Sequence, residues 1–324
     1  MSKQYKDYNN LGIAYTIFVC AITIIQYIFK YLITNNIIPD NSNIINLLGN
    51  STTYILGLLI LVPLVYIPSK QNKPLDKHKT KFSEFLKYFV IAYFIMVASN
   101  IIGLIITNVI TLIKGVPVSN PLLEVLNELD ISVTFILAVV LAPIMEEIFF
   151  RKLIIDRLYI HGKWVSIFIS GLMFGLFHGN LNQFVYAFML GMFLAYIYIK
   201  KGSIKVCILL HALINSMSFI IMLIMNNIDI DLINSIELDI NNIMSYISIS
   251  DIISFIFLLL YELFMVVIII LGLIFFILNY KKIRNDIREY KVNDTISIKN
   301  VLLTKGILLF NMVHIIIIIK QLFE

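Results

Sequence analysis

Apolar residues in this chain come in long runs separated by short polar segments. Eight runs, at 11–29, 52–67, 85–113, 131–150, 164–177, 184–199, 206–225 and 252–278, read as membrane helices. The first resembles a signal peptide in length. No small-residue cleavage site follows it, and Lys30, Tyr31 and the polar Thr34-Asn35-Asn36 come next, so an uncleaved helix is expected. Pro63 and Pro68 are expected to break off the second run, and the fourth to continue through Arg157 and Tyr159 to a boundary near Gly162 and Lys163. The run at 301–319 carries Lys305, Asn311 and His314 and reads either as a ninth span or as a surface helix lying in the interface. There is no internal repeat, and no separate segment is long enough to fold as a soluble domain.

The predicted fold is an all-α polytopic transmembrane helix bundle. It divides into three N-terminal spans (1–130), a core (131–226), and a C-terminal part (227–324) made of an outer loop, the eighth span, a basic segment and the last apolar run.

Charge placement orients the bundle. Lys70, Lys73, Lys77, Lys79, Lys81 and Lys87 follow the second span, Lys200, Lys201 and Lys205 the sixth, and Lys281, Lys282, Arg284, Arg288 and Lys291 the eighth. The alternate loops hold Glu124, Glu128 and Asp130, and then Asp229, Asp231, Glu237, Asp239 and Asp251 with no Lys or Arg. By the positive-inside rule the basic side is cytoplasmic, and the N-terminal tail with Lys3 and Lys6 lies there too. Composition agrees: of 324 residues 60% are hydrophobic and only 14% charged, and mean hydropathy is +0.91, which excludes an ordinary soluble domain. The net charge of +5 resides in loops beside apolar spans, so it is a topology signal and not a nucleic-acid one. Abundant Ile, Asn and Lys point to AT-rich coding and a bacterial plasma membrane. Cys20 and Cys207 stand far apart in apolar runs and form no disulfide framework.

Against this background the ionisable residues between positions 141 and 215 stand out, because a charge at membrane depth costs about 2.5–3.5 kcal/mol on insertion scales. Residues four apart share a helix face, which pairs Glu147 with Arg151, Phe174 with His178, and His211 with Asn215. Glu146 points about 100° away from Glu147, so the two carboxylates have different jobs. One can enter a cavity while Arg151 neutralises the other. At 1.5 Å per residue, His178 stands about 20 Å above Lys163, Glu146 about 16 Å above Arg157, and His211 about 9 Å beyond Lys205. Convergence in the inner half of the membrane follows if the turn at 179–183 is shielded from lipid.

A carboxylate and an imidazole beside water, with a second imidazole and an amide nearby, are the parts of a hydrolytic site. Glu146 would take a proton from water with help from His178, while His211 and Asn215 would donate to the oxyanion of a tetrahedral intermediate formed on an amide. Two His and one Glu are also a catalytic zinc set, with Glu146, His178 and His211 as candidate ligands, although no HExxH motif is present.

Glu-Glu-x-x-x-Arg at 146–151, Phe-x-x-x-His at 174–178 and His-x-x-x-Asn at 211–215, in this order on successive spans, resemble the CPBP family. This is the group of bacterial Abi-type proteins related to the type II CAAX prenyl endopeptidases. The resemblance covers 131–218. It implies an intramembrane peptidase with Glu146 as the catalytic carboxylate, His178 as its partner in activating water, and His211 with Asn215 on the oxyanion side, in a cavity open to the cytosol. It also implies a peptide or protein substrate at the membrane. Bacterial members are associated with peptide-precursor processing, bacteriocin self-immunity and phage defence, and the family is described both as glutamate-dependent and as metal-dependent.

Other residues have plainer readings. Glu147 with Arg151 is an ion pair that lets both enter a membrane. Asn215 has an interhelical hydrogen bond as its plainer reading, although its place beside His211 favours the site. His78 and His161 sit in basic loops as solvated residues, His314 is incidental, and Glu262 in the eighth span is unexplained. The rival class is a non-enzymatic membrane protein, an immunity protein or a transporter, though the repeat symmetry of transporters is absent.

Overall fold

The computed structural model describes residues 3–69, 74–121, 125, 128–227, 248–288 and 296–323. Lys70, Lys73, Glu124, Asp229, Asp231, Glu237, Asp239 and Lys291 lie outside the described residues. The chain is a bundle of helices: α1 (Lys3–Thr34), α2 (Ser42–Tyr66), α3 (Phe82–Lys114), α4 (Ile131–His161), α5 (Lys163–Phe177), α6 (Leu181–Lys201), α7 (Ile204–Met225), α8 (Ile249–Arg288) and α9 (Lys305–Phe323). Eight of these are long and apolar enough to cross a membrane, which makes the chain a multi-pass membrane protein.

They are not the eight read from the sequence. α5 has 15 residues, hence a length of about 22 Å, and falls short of a bilayer core. α9 takes its place in the count. It lies along α1, with Gly306 packed against Asn9 and Ile13, and it buries Ile307, Phe310 and His314. That packing decides between the two readings of the last apolar run in favour of a span.

Two helices depart from regular α geometry. α2 passes through Pro63 instead of stopping there, because the wide five-residue turn Val62–Tyr66 takes up the clash between a proline ring and the preceding turn. α4 contains two wide turns, Phe135–Leu141 and Glu147–Leu153, on either side of the short α segment Ala142–Glu146. Pro143, which has no N–H to give, accounts for the first of these. The second holds no proline and coincides with the buried Glu147 and Arg151. Carbonyls in these turns accept from outside the helix: Ala138 from Asn215, Phe149 from Tyr15, and Phe150 from Ser170.

α5 and α6 form a tight hairpin. A Cβ on Gly171 would stand 2.5 Å from Met192 Cγ, and one on Gly175 would stand 2.9 Å from the Phe184 carbonyl oxygen, so glycine at these two positions lets the backbones meet. The reversal after α5 needs a left-handed residue, supplied by Gly179 at φ +66°. Asn180 then caps α6 by accepting from the Gln183 N–H at 2.9 Å.

The basic segments gather at one end of the bundle. Lys201 pairs with Glu84 at 2.6 Å, Lys200 with Asp286 at 2.6 Å, and Arg157 with Asp7 at 2.6 Å. His161 belongs to this end and is not solvated: it is buried, with Nε2 2.8 Å from Asp7 Oδ2. His314 is likewise a satisfied core residue, its Nδ1 2.9 Å from the Phe310 carbonyl. At the opposite end Asn43 meets Asp130, and Lys114 donates to the Leu322 carbonyl.

The interior forms two apolar clusters. One joins α1, α2, α4, α5 and α9 around Phe149, Phe150 and Phe174; the other joins α3, α6, α7 and α8 around Leu194, Leu210 and Ile214. The polar residues of α4, α5 and α7 meet at the seam between them.

Candidate active site

α4 supplies Glu146 and Glu147 at the junction of its short α segment and its second wide turn. The two carboxylates have opposite surroundings. Glu147 is fully buried, whereas the Glu146 side chain keeps 19% of its surface. Arg151, also fully buried, sets its Nε 3.2 Å from Glu147 Oε2. Among the described residues the two amino groups of that guanidinium have no hydrogen-bond partner; its carbon lies instead 4.1 Å from the centroid of the Phe174 ring.

α7 contributes His211, which stands between the two carboxylates. Its Nδ1 is 2.9 Å from Glu147 Oε1 and its Nε2 is 3.8 Å from Glu146 Oε2. An ionised carboxylate only accepts, so Nδ1 carries the proton toward Glu147 and Nε2 is the nitrogen that faces Glu146. The sequence shows Glu147 paired with Arg151; its bond to His211, from 64 residues away, has no sequence signal.

α5 ends at the site. His178 caps it, half-buried, with Nδ1 2.9 Å from the Phe174 carbonyl. A carbonyl only accepts, so Nδ1 is the protonated nitrogen and Nε2 keeps its lone pair. Phe174 stands edge-on to both imidazoles, with centroids 4.9 Å from His178 and 5.9 Å from His211. One aromatic ring therefore spaces two histidines and covers the buried arginine.

Asn215 lies one turn beyond His211 and gives its amide nitrogen to the Ala138 carbonyl at 2.8 Å. That bond ties α7 to the first wide turn of α4 and leaves one N–H of the amide uncommitted. The structure thus joins Glu146, Glu147, Arg151, Phe174, His178 and His211 in one cluster, with Asn215 at its α4–α7 edge. His211 reaches the carboxylates despite its short count from Lys205, because wide turns rise less per residue and lower the height of Glu147 on α4.

Two residues of this neighbourhood escape sequence reasoning. Tyr54 of α2 and Tyr186 of α6 stand within electrostatic reach of Glu146. Tyr186 is held by a chain of side chains in which Asn180 donates to Gln183 at 2.7 Å and Gln183 donates to the Tyr186 hydroxyl at 2.9 Å. The Asn180-x-x-Gln183-x-x-Tyr186 spacing on one helix face is the signal that could have found it.

Glu146, His178 and His211 were also zinc candidates. Among the described residues no three His, Cys, Asp or Glu side chains are grouped so as to hold a metal ion.

Residues 128–217 match a family model described as type II CAAX prenyl endopeptidase Rce1-like. The matched stretch runs from the start of α4 past His211 and Asn215, and so contains the whole cluster. It supports, at the level of the family, an intramembrane CAAX-type endopeptidase. No curated protein and no solved structure matched the chain.

Proposed function

We propose that this chain, with an Rce1-like core at 128–217, hydrolyses a peptide bond of a membrane-associated protein or peptide at the cluster around Glu146. The observation that carries this reading is the unequal treatment of two adjacent carboxylates: Glu147 is sealed with Arg151, while Glu146 stays accessible beside His211 and within electrostatic reach of His178.

In this mechanism water enters beside Glu146 and His178. Glu146 accepts a proton from it, and the lone pair on His178 Nε2 holds the same water for attack on the amide carbon. The peptide C–N bond breaks after the tetrahedral intermediate forms, and Glu146 returns the proton to the leaving amine. His211, through Nε2–H, and the uncommitted N–H of Asn215 form the donor side for the oxyanion. Glu147 orients His211, and Arg151 holds Glu147. The family resemblance implies a cavity open to the cytosol, the side to which lysine placement assigns the basic end of the bundle.

The test is cleavage of a reporter peptide library by the purified full chain in detergent. Glu146→Gln and His178→Ala are each expected to lower the rate about 10²–10⁴-fold, the range of general acid–base contributions. A rate unchanged by prolonged treatment with a strong chelator is expected of the glutamate-dependent form. Loss on chelation with recovery in zinc would establish the metal-dependent form of the same peptidase. Cleavage surviving both substitutions would remove the chemistry from this cluster.

A further inference from the structure

The hydrogen-bond chain that holds Tyr186 has a direction, and backbone groups fix it. Asn180 Oδ1 accepts from the Gln183 backbone N–H at 2.9 Å, and Asn180 Nδ2 lies 2.9 Å from the His178 carbonyl. A backbone N–H only donates and a carbonyl only accepts, so the orientation of this amide is settled. One of the two protons on Nδ2 goes to His178 and the other to Gln183 Oε1 at 2.7 Å, which turns Gln183 Nε2 toward the Tyr186 hydroxyl at 2.9 Å. A tyrosine hydroxyl is neutral at ordinary pH and carries one proton. Since its oxygen here accepts from Gln183, that proton points elsewhere, and it meets no acceptor among the described residues.

Helix capping does not require this chain. The cap of α6 is complete once Asn180 accepts from the Gln183 N–H, and the step from the Gln183 side chain to Tyr186 serves no backbone group. Its effect is to hold an unspent donor beside the candidate site. α6 borders that site: a Cβ on Gly191 would stand 2.9 Å from Phe174 Cδ1 and 3.4 Å from an amino nitrogen of Arg151. Tyr186 is half-buried, packs like Met145 on the apolar cluster that contains Phe174, and lies within electrostatic reach of Glu146. A peptide entering beside that carboxylate carries the complement of an O–H donor in its main-chain carbonyls, which are present whatever its sequence. We propose that Tyr186 is a substrate-binding residue, donating its O–H to a main-chain carbonyl next to the bond that is cut, and that Gln183 is a positioning residue that turns this donor toward the substrate. This rests on the peptidase reading and adds to it a contact with a part of the peptide that does not react.

The test is steady-state cleavage, by the purified full chain in detergent, of the reporter peptide that the unsubstituted chain cuts fastest. Tyr186→Phe removes the donor and keeps the ring. It is expected to raise KM about three- to tenfold, the scale of one hydrogen bond, with little change in kcat, the pattern of a contact made equally before and during reaction. Gln183→Glu tests the direction. A carboxylate only accepts, so it keeps the bond from Asn180 but takes the Tyr186 O–H for itself, and the same rise in KM is expected. A chain that served only as scaffold would leave KM unmoved, because both of its links survive this substitution. The double variant Tyr186→Phe/Gln183→Glu is expected to be no worse than either alone, since each removes the same contact. Circular dichroism confirms that each variant is folded. A parent-like KM in Tyr186→Phe or in Gln183→Glu, a Tyr186→Phe loss falling on kcat alone, or additive losses in the double variant would each overturn the inference. Glu146→Gln, measured beside them, separates the two proposals. If it abolishes cleavage while Tyr186→Phe leaves KM unchanged, only the role of Tyr186 falls; cleavage that survives Glu146→Gln at the parent rate takes the chemistry, and Tyr186 with it, away from this cluster.

Discussion

At the scale of single residues the site is governed by how buried charges are matched. Arg151 and Glu147 are both fully enclosed, so removing one strands the other. A buried pair broken on one side costs about 3–5 kcal/mol, whereas replacing both members is far milder. Arg151→Met is therefore expected to lower the melting temperature of the detergent-solubilised protein well below that of the double variant Glu147→Gln/Arg151→Met, in which the amide still accepts from His211. Equal losses in the two would show that the pair is not energetically coupled. The i,i+4 spacing makes this pair readable in the sequence. The bridge from Glu147 to His211 and the link from His161 to Asp7 are not readable, because they join residues 64 and 154 positions apart and depend on which helices become neighbours.

At the scale of elements the apolar runs are legible and their internal geometry is not. Hydropathy locates α4 but cannot distinguish a regular helix from one with two wide turns, since both present the same apolar run. The α5–α6 hairpin is subtler. Its loop length, the extent of α5 and the depth of His178 are visible, but the close approach of the two helices emerges only from the packing of Gly171 and Gly175 on α6. Gly179→Ala tests the turn that follows. A Cβ at φ +66° brings a left-handed strain of about 1–2 kcal/mol, and it also meets Ile317 Cγ2 at 3.2 Å. The expected result is a lower melting temperature together with slower reporter cleavage, because His178 immediately precedes the strained residue. Lower stability with an unchanged rate would mean that the turn supports the fold and not the placement of His178.

At the scale of the whole molecule the last helix belongs to the architecture that carries the site. α9 packs its Phe310 ring edge-on to Tyr15 of α1 at 6.2 Å, and the Tyr15 hydroxyl in turn donates to the Phe149 carbonyl in the second wide turn of α4. From its far half, His314 lies 6.3 Å from Phe177, the last residue of α5 before His178. Two routes thus connect α9 to the candidate site, one through α1 to the carboxylate turn and one directly to the end of α5. A chain stopped after residue 296 leaves Tyr15 and Phe177 without these partners, at positions where lipid replaces packed aromatic rings and gives neither the same contacts nor the same rigidity. It is expected to insert, since the remaining spans keep their hydropathy, but to melt at a lower temperature and cleave the reporter more slowly. Co-expression of residues 297–324 as a separate segment should restore both properties, because the helix acts by packing and needs no covalent link to do so. Recovery of stability without recovery of cleavage would separate the two routes, leaving the contact with α1 as support for the fold and assigning the contact with α5 to the site.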